Sequence, residues 1–134
     1  MTKRFRGSCH CGAVRFEAEI DLATESSRCN CSLCAKGRFW KAIARPGSFR
    51  LLAGEDLLAD YTFGKGTIHH HFCRRCGVKP FGRGENAALG GVFHAVNVAC
   101  LDDVGDAELA AARVHHEDGK HDRWDRAPEH TAHL

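Results

Sequence analysis

The chain has 134 residues, which is enough for one compact domain and too few for two independent cores of ordinary size. Its 43% hydrophobic content and 3 prolines are typical of a globular chain and exclude a largely disordered one. The 19 lysines and arginines and 17 aspartates and glutamates give a formal charge of +2, so nucleic acid is not an expected partner.

The first part of the chain predicts a series of short strands. Residues 13–20 alternate apolar and charged side chains, as expected for a strand with one face in water. Residues 39–44 and 48–54 are apolar segments separated by an Arg-Pro-Gly turn signal, and they predict a β-hairpin. Residues 60–63 and 67–72 are rich in aromatic and β-branched side chains and predict two further strands.

The last part of the chain adds one strand and one helix. Residues 89–100 predict a strand whose glycines indicate a bulge or a close backbone approach. Residues 106–113 predict the single short helix, because a capping residue comes before good helix formers. These segments together indicate a mainly β, mainly antiparallel domain over residues 1–126, followed by a flexible tail over residues 127–134.

The N-terminal residues are basic but lead into a Cys-His-Cys sequence rather than an apolar segment of signal-peptide length. No window approaches about 18 consecutive apolar residues, so no transmembrane helix is expected. We therefore expect a soluble, cytoplasmic protein with no membrane partner. In a reducing compartment, clustered cysteines more often bind metal or carry out redox chemistry than form structural disulfides.

The 8 cysteines and 10 histidines are more than ordinary packing explains. Two thiolates one or two residues apart on a tight turn can reach one ion, and zinc prefers four such ligands in a tetrahedron. A structural zinc site has four protein ligands, whereas a catalytic one usually has three and an open position. Two cysteine pairs would complete one four-ligand structural site, and one cysteine triplet would form one three-ligand catalytic site. The pairs are Cys9 with Cys11 and Cys73 with Cys76, and the cysteine triplet is Cys29, Cys31 and Cys34.

Other interpretations of the cysteines remain at this point. Disulfides meet a geometric objection, because neighbouring cysteines one residue apart are hard to bridge. A redox Cys-x-x-Cys at Cys73 and Cys76 lacks the βαβ setting of a thioredoxin-like protein. Pairing Cys31 and Cys34 with Cys73 and Cys76 would make an ordinary four-cysteine zinc ribbon. Spacing alone does not choose between these partitions.

The cysteine motifs resemble those of a known family. They read Gly-Ser-Cys-His-Cys-Gly-Ala-Val-Arg-Phe at residues 7–16, Cys-Asn-Cys-Ser-Leu-Cys at 29–34 and Phe-Cys-Arg-Arg-Cys-Gly at 72–77. The similarity continues through residues 97–102 and 118–124. In order and spacing, these segments resemble the glutathione-dependent formaldehyde-activating enzyme family, which also includes centromere protein V.

The resemblance implies a β-tent fold of small antiparallel sheets organised around zinc, with two zinc ions per chain. It also implies a partition of the ligands. Cys9, Cys11, Cys73 and Cys76 match the structural zinc ligands, and Cys29, Cys31 and Cys34 match the ligands of a second, catalytic-type zinc.

The implied reaction is the reversible condensation of formaldehyde with glutathione to S-hydroxymethylglutathione, which is carbon–sulfur lyase chemistry. A small thiol is then the expected partner, and glutathione is either substrate or ligand. The alternative hypothesis is a non-catalytic zinc module that binds a thiol ligand or a macromolecular partner. A related enzyme that uses another thiol or electrophile at the same site is a further possibility.

Zinc held by three thiolates is a weak Lewis acid, so activation of water is not its obvious task. A substrate thiol in the open position would be deprotonated, and the thiolate is the nucleophilic form. The added negative charge requires nearby donors. Three basic residues follow the cysteine triplet closely and are candidates for this role: Lys36, Arg38 and Lys41.

Several other residues could belong to the site. His69, His70 and His71 lie on a predicted strand, so they point alternately to opposite faces and cannot all face one ion. His10 is expected to be exposed at a turn, Cys100 to be a buried free thiol, and Trp124 to close the edge of the core. Three more histidines are candidates for an acid–base role: His94, His115 and His116.

Overall fold

The computed structural model describes residues 1–134 and confirms a mainly β chain with few helices. The strands are β1 (Lys3–Ser8), β2 (Arg15–Ile20), β3 (Ser26–Cys29), β4 (Trp40–Ala44), β5 (Phe49–Ala53), β6 (Leu58–Tyr61), β7 (His69–Cys73), β8 (Phe81–Asn86), β9 (Gly91–Asn97) and β10 (Val114–Glu117). The α-helices are α1 (Ser32–Gly37) and α2 (Asp106–Ala111). Single 3-10 turns cover Glu55–Leu57, Ala87–Leu89, Val98–Cys100 and Gly119–His121.

The strands form two sheets. The smaller has the order β1-β2-β5, and the larger has the order β10-β3-β4-β9-β8-β7-β6. All neighbouring strands are antiparallel except β10 and β3, which pair in parallel from Val114 opposite Ser26 to Glu117 opposite Cys29. The parallel pair joins the C-terminal part of the chain to the strand that ends at the cysteine triplet.

The predicted hairpin over residues 39–54 is wrong in its pairing. The Arg-Pro-Gly turn exists, with Ser48 N–H donating to the Arg45 carbonyl at 2.9 Å. However, β4 lies between β3 and β9 in the larger sheet, whereas β5 pairs with β2 in the smaller one. Both edges of β4 are already hydrogen-bonded to other strands, so the turn passes the chain from one sheet to the other.

The helix prediction is confirmed in position but differs in detail. Helix α2 begins at Asp106, and its N-cap is Gly105, which has no side-chain capping bond. Helix α1 was missed because its six residues, Ser32–Gly37, are too few for an amphipathic repeat and include one of the clustered cysteines, Cys34. Each α-helix has six residues, and neither has the length or apolar character needed to cross a bilayer.

The core lies between the two sheets. Phe16 of β2 stacks on Phe49 of β5 with ring centroids 5.6 Å apart, and both rings contact Phe81 of β8. Phe16 is fully buried and Phe81 is 3% exposed. Burying such rings stabilises the fold by roughly 2 kcal/mol or more each. This aromatic cluster fixes the smaller sheet on the larger one and so brings Cys9 and Cys11, which follow β1, close to Cys73 at the end of β7.

Candidate metal centres and the adjoining cavity

The first candidate metal centre joins the two sheets. The sulfurs of Cys9, Cys11, Cys73 and Cys76 all lie within 4.8 Å of one another, and we call this group the four-cysteine cluster. The Sγ atoms of Cys9 and Cys11 are 3.6 Å apart, and those of Cys11 and Cys73 are 3.7 Å apart. Cys9 and Cys11 come from the turn between β1 and β2, whereas Cys73 ends β7 of the larger sheet.

Two tight turns present these sulfurs. After Cys9 the chain turns through Gly12, whose φ of +78° favours glycine, and Gly12 N–H donates to the Cys9 carbonyl at 3.1 Å. After Cys73 it turns through Gly77, at φ +79°, whose N–H donates to the Cys73 carbonyl at 2.8 Å. Backbone N–H groups also point at the sulfurs, including Val14 N–H to Cys9 Sγ at 3.3 Å.

The four-cysteine cluster fits a zinc ion. Four sulfurs at about 2.3 Å from a tetrahedral ion would lie about 3.8 Å from one another, close to the observed sulfur separations. The backbone N–H groups of Cys11 and Val78 lower the pKa of Cys76 to about 6, which favours the thiolate that binds metal. Burial raises the pKa of Cys9 to about 11, so metal binding would displace its proton.

The second candidate centre is the cysteine triplet. Cys29 ends β3, Cys31 is the N-cap of α1, and Cys34 lies in the first turn of that helix. Their sulfurs lie within 4.8 Å of one another. Cys31 N–H donates to Cys29 Sγ at 3.3 Å, and Cys34 N–H donates to Cys31 Sγ at 3.4 Å. Donation from the neighbouring thiols holds the pKa of Cys31 far below its usual value, so the triplet readily carries a thiolate.

The structure brings the cysteine sulfurs into two separate groups. All eight cysteines are free, and the sulfur separations within the four-cysteine cluster far exceed the roughly 2.05 Å of a disulfide. Cys31 and Cys34 lie with Cys29 rather than with Cys73 and Cys76, so the ribbon-type partition is wrong.

Asn30 fixes the C-terminal segment against the cysteine triplet. Its Nδ2 donates to Asp118 Oδ1 at 2.8 Å, and its Oδ1 accepts from Lys120 N–H at 2.9 Å. Asp118 is 5% exposed, and the hydrogen bond from Asn30 lowers its pKa. His121 Nδ1 also contacts Asp118 Oδ1 at 2.9 Å. These contacts bring Gly119 and Trp124 to the edge of the triplet.

A cavity of about 320 Å³ opens beside the cysteine triplet and is lined by all three of its residues. Apart from the triplet, seven of the 16 lining residues are apolar, and four of these are the aromatic residues Phe39, Phe63, Phe93 and Trp124. This combination of an apolar wall and a few grouped polar atoms is typical of small-molecule sites.

Three basic side chains line the same cavity: Lys41, His70 and Lys79. Lys41 forms an ion pair with Glu117, and both side chains are largely buried. Lys79 has no acidic partner. Its Nζ donates to His70 Nδ1 at 2.7 Å and lies 3.9 Å from the centroid of the Phe39 ring. Lys79 is therefore the cation available to offset negative charge on the triplet.

Burial lowers the pKa of both Lys79 and His70. It lowers the pKa of Lys79, while the charges of Cys34 and Cys31 oppose that shift. It also lowers the pKa of His70 to about 4, with the charge of Lys79 adding to the effect. His70 is therefore neutral at pH 7. Because Nδ1 accepts the hydrogen bond from Lys79, the imidazole proton lies on Nε2.

The structure brings only some of the other candidate residues to the cavity. Lys41 lines it, but Lys36 is exposed on α1 and Arg38 donates to the His133 carbonyl at 3.0 Å. His70 lines it, whereas His69 and His71 lie on the other face of β7 and contact each other with ring centroids 6.2 Å apart.

The remaining candidates lie elsewhere. His94 stacks on Phe49, with ring centroids 3.9 Å apart, and His115 contacts the Thr24 carbonyl, so neither lines the cavity; nor does His116. His10 is exposed, and Cys100 is a buried thiol in neither centre.

Trp124 differs from the prediction. It is 54% exposed and lines the cavity rather than closing the core, because Asp122 accepts a hydrogen bond from its indole N–H at 2.7 Å.

Sequence reasoning missed Lys79 and Gly119. Lys79 lies beyond the Cys73–Cys76 turn, and the only local signal is its closeness to that motif. A Cβ atom on Gly119 would lie 2.5 Å from Cys29 Sγ and 2.8 Å from the Trp124 ring, so any larger residue here must displace the sulfur or the ring. Gly119 lies in the segment 118–124 that shares the family resemblance, but nothing in that segment indicates contact with Cys29.

Comparison with known proteins agrees with this architecture. A sequence model of the family described as glutathione-dependent formaldehyde-activating enzyme matches residues 4–117. A solved structure of a Rhodobacter sphaeroides protein is similar, with a TM-score of 0.68 and 33% sequence identity. The match covers 82% of this chain and 99% of that protein. The chain belongs to the glutathione-dependent formaldehyde-activating enzyme family.

Proposed function

We propose that the protein is a zinc-dependent carbon–sulfur lyase that joins glutathione, or a related small thiol, to an aldehyde and reverses the same step. The observation that carries this proposal is the position of the cysteine triplet on the wall of a cavity that also contains Lys79, a cation without an acidic partner. Membership of the family supports the thiol and the aldehyde as reactants.

Two zinc ions per chain fit the donor sets described above. The four-cysteine cluster would hold a structural ion, because four protein sulfurs complete a tetrahedron. The cysteine triplet would hold the second ion with three sulfurs and face the cavity. Bound zinc would supply there an open coordination position that favours the thiolate form of a substrate thiol.

In the forward direction a sulfur–carbon bond forms, the carbonyl π electrons move to oxygen, and the proton lost by the thiol ends on that oxygen. Lys79 stabilises the negative charge of the sulfur-rich site by its position among the lining residues. His70 is neutral and carries its proton on Nε2, so it can donate a hydrogen bond to the aldehyde oxygen as charge develops there. The ion pair of Lys41 with Glu117 anchors the β4 side of the cavity.

Rate measurement must allow for the uncatalysed reaction of thiols with formaldehyde. Exchange NMR on equilibrated glutathione and formaldehyde reports the rate in both directions, and we expect the purified zinc-loaded protein to accelerate it. Lys79→Met should lower that acceleration at least about tenfold, since removal of one electrostatic donor commonly costs this much or more. Lys36→Met is the matched control, because Lys36 is exposed and outside the cavity.

Metal analysis tests the same proposal independently of rate. Cys31→Ser should remain folded, lose about one zinc ion per chain and lose the acceleration. Cys100→Ser, which changes a cysteine outside both centres, should keep both ions. A wild-type protein with one tight zinc ion, no bound glutathione and no acceleration would contradict the enzyme and favour a non-catalytic zinc module.

A further inference from the structure

The cavity beside the cysteine triplet is larger than formaldehyde requires. Its volume is about 320 Å³. A water molecule occupies about 30 Å³ in the liquid, and formaldehyde has only one more heavy atom. An apolar cavity of about 150 Å³ in another protein holds a benzene molecule. The space here is therefore sufficient for a thiol sulfur, a hydroxyl-bearing carbon and an apolar group of phenyl size, and the polar remainder of a bound glutathione would lie outside it.

Polar and apolar groups occupy different parts of this cavity. Cys29 is buried and Cys31 and Cys34 are only partly exposed, so the triplet lies at the less exposed end of the cavity. Phe63, Ile68 and Trp124 lie at the open end, with 41%, 37% and 54% of their surfaces exposed. A ligand that reaches the triplet with its sulfur therefore extends past an apolar rim.

The rim residues are unusual for a surface in water. Large apolar side chains that cluster on a surface commonly mark a ligand or partner site. Ile68 also contacts the neighbourhood of Phe93, since a Cβ on Gly84 would lie 2.6 Å from Ile68 Cδ1 and 2.8 Å from Phe93 Cζ. The rim and the inner wall are thus one continuous apolar surface, and burying it against a ligand is favourable.

We propose that this cavity selects a thiol–aldehyde adduct with an aryl or branched alkyl substituent; the proposal rests on the function above. In the cleavage direction the substrate is an S-(1-hydroxyalkyl) thiol. Its sulfur–carbon bond breaks, a carbonyl bond forms, and the hydroxyl proton passes to the sulfur. Either the aldehyde or the thiol can bring the apolar substituent, and the two sources share the same chemistry.

An experiment with two arms shows whether the aldehyde or the thiol brings the apolar substituent. In the first, glutathione is kept and formaldehyde is compared with phenylacetaldehyde. In the second, formaldehyde is kept and glutathione is compared with phenylmethanethiol. We expect kcat/KM, divided by the uncatalysed rate constant of the same pair, to rise at least about tenfold in one arm, a size typical for apolar groups in a fitted pocket. The arm that shows the rise identifies the source. A fall or no change in both arms would overturn the proposal.

Calorimetry with the zinc-loaded protein distinguishes this inference from the proposed function. Phenylmethanethiol should bind at least about tenfold more tightly than ethanethiol. Tight binding without turnover of any pair would refute the lyase and keep the apolar selectivity. Turnover of formaldehyde with glutathione alone, with no preference in binding, would keep the lyase and refute the selectivity.

A cavity-filling variant locates the selectivity. Ala95 lies on β9 and lines the cavity, so Ala95→Leu should reduce the preference for phenylmethanethiol over ethanethiol about tenfold. Val92 lies on the same strand, is 44% exposed and does not line the cavity. Val92→Leu should leave the preference as in the wild type. Equal loss in both variants would show that the preference does not arise in this cavity.

Discussion

Gly119 lies where the cysteine triplet meets the aromatic rim of the cavity. Its φ is not in the left-handed region, so backbone freedom is not the reason for a glycine here. The reason is space, because an added Cβ would lie 2.5 Å from Cys29 Sγ and 2.8 Å from the Trp124 ring. The sulfur and the ring approach each other across this residue, and a larger side chain must move one of them.

Gly119→Ala is therefore expected to disturb the second metal centre without unfolding the protein. Zinc content should fall from two ions toward one per chain, as measured by metal analysis after desalting. Gly37→Ala is the matched control, because Gly37 ends α1 and a Cβ there meets nothing within 4 Å. Retention of both ions by Gly119→Ala would show that the sulfur and the ring can separate without loss of metal.

His94 illustrates a second residue-scale effect, a partly buried imidazole outside the site. It stacks on Phe49, and burial lowers its pKa from 6.5 to about 4, with Arg83 adding to the shift. Above pH 6.5 it is neutral in both the folded and unfolded states. As the pH falls below 6.5, the unfolded state takes up a proton that the folded state excludes, so stability falls as the pH falls toward 4.

His94→Phe keeps the aromatic stack and removes this proton uptake. We expect the free energy of unfolding of the variant to fall less than that of the wild type between pH 7 and pH 5. The difference in slope should approach about one proton. Urea unfolding at several pH values in the presence of excess zinc measures it. Parallel slopes for the two proteins would contradict the depressed pKa.

At the scale of elements, the second centre is built by a short helix and by the two hydrogen bonds of the Asn30 side chain, which we call the Asn30 brace. The Sγ of Cys31 accepts a hydrogen bond from Cys34 N–H and so serves as the N-cap of α1. The 3-10 turn over Gly119–His121 lies against it because Asn30 binds both Asp118 and Lys120. The parallel pairing of β10 with β3 brings that turn to the right end of β3.

Removal of the Asn30 brace is expected to loosen the 3-10 turn over Gly119–His121. Asn30→Ala deletes two hydrogen bonds, so the amides of residues 118–121 should exchange with solvent about tenfold faster. Hydrogen-exchange mass spectrometry measures this. Asn86→Ala is the control, since Asn86 caps the 3-10 turn over Ala87–Leu89, away from the triplet. If both variants left residues 118–121 equally protected, Asn30 would not hold the segment.

At the scale of the whole molecule, the four-cysteine cluster connects the two sheets. Cys9 and Cys11 belong to the β1–β2 turn of the smaller sheet, and Cys73 ends a strand of the larger one. A metal ion here would add to the aromatic contacts of Phe16 and Phe81 that already join the sheets. Binding of an ion to the folded chain only is itself folding free energy.

Cys76→Ser is expected to lower the Tm by about 10 °C or more, because loss of a structural metal is among the most destabilising changes. Cys100→Ser alters a buried cysteine outside both centres and should cost less. The melting temperature of the wild type should also fall on addition of a strong chelator, and that of Cys76→Ser should change little. Unchanged melting of Cys76→Ser would refute the structural role.

The sequence alone predicted what depends on neighbouring residues. Cysteines one or two positions apart on tight turns can share an ion whatever the rest of the chain does, so the three groups were recognisable. Alternation of side chains identified the strand at residues 13–20, which the structure confirms as β2. The resemblance of the motifs supplied the partition into two centres, and the structure brings those same sulfurs together.

Tertiary structure decided what depends on distant segments. The hairpin at residues 39–54 was wrong because β4 and β5 find partners in different sheets, a choice set by which faces are buried. Lys79, Gly119 and Trp124 reach the cysteine triplet from 45 or more positions away along the chain, and only packing of the sheets and the brace at Asn30 brings them there. Local spacing encodes a ligand set, whereas the cavity around it exists only once both sheets have closed on their common core.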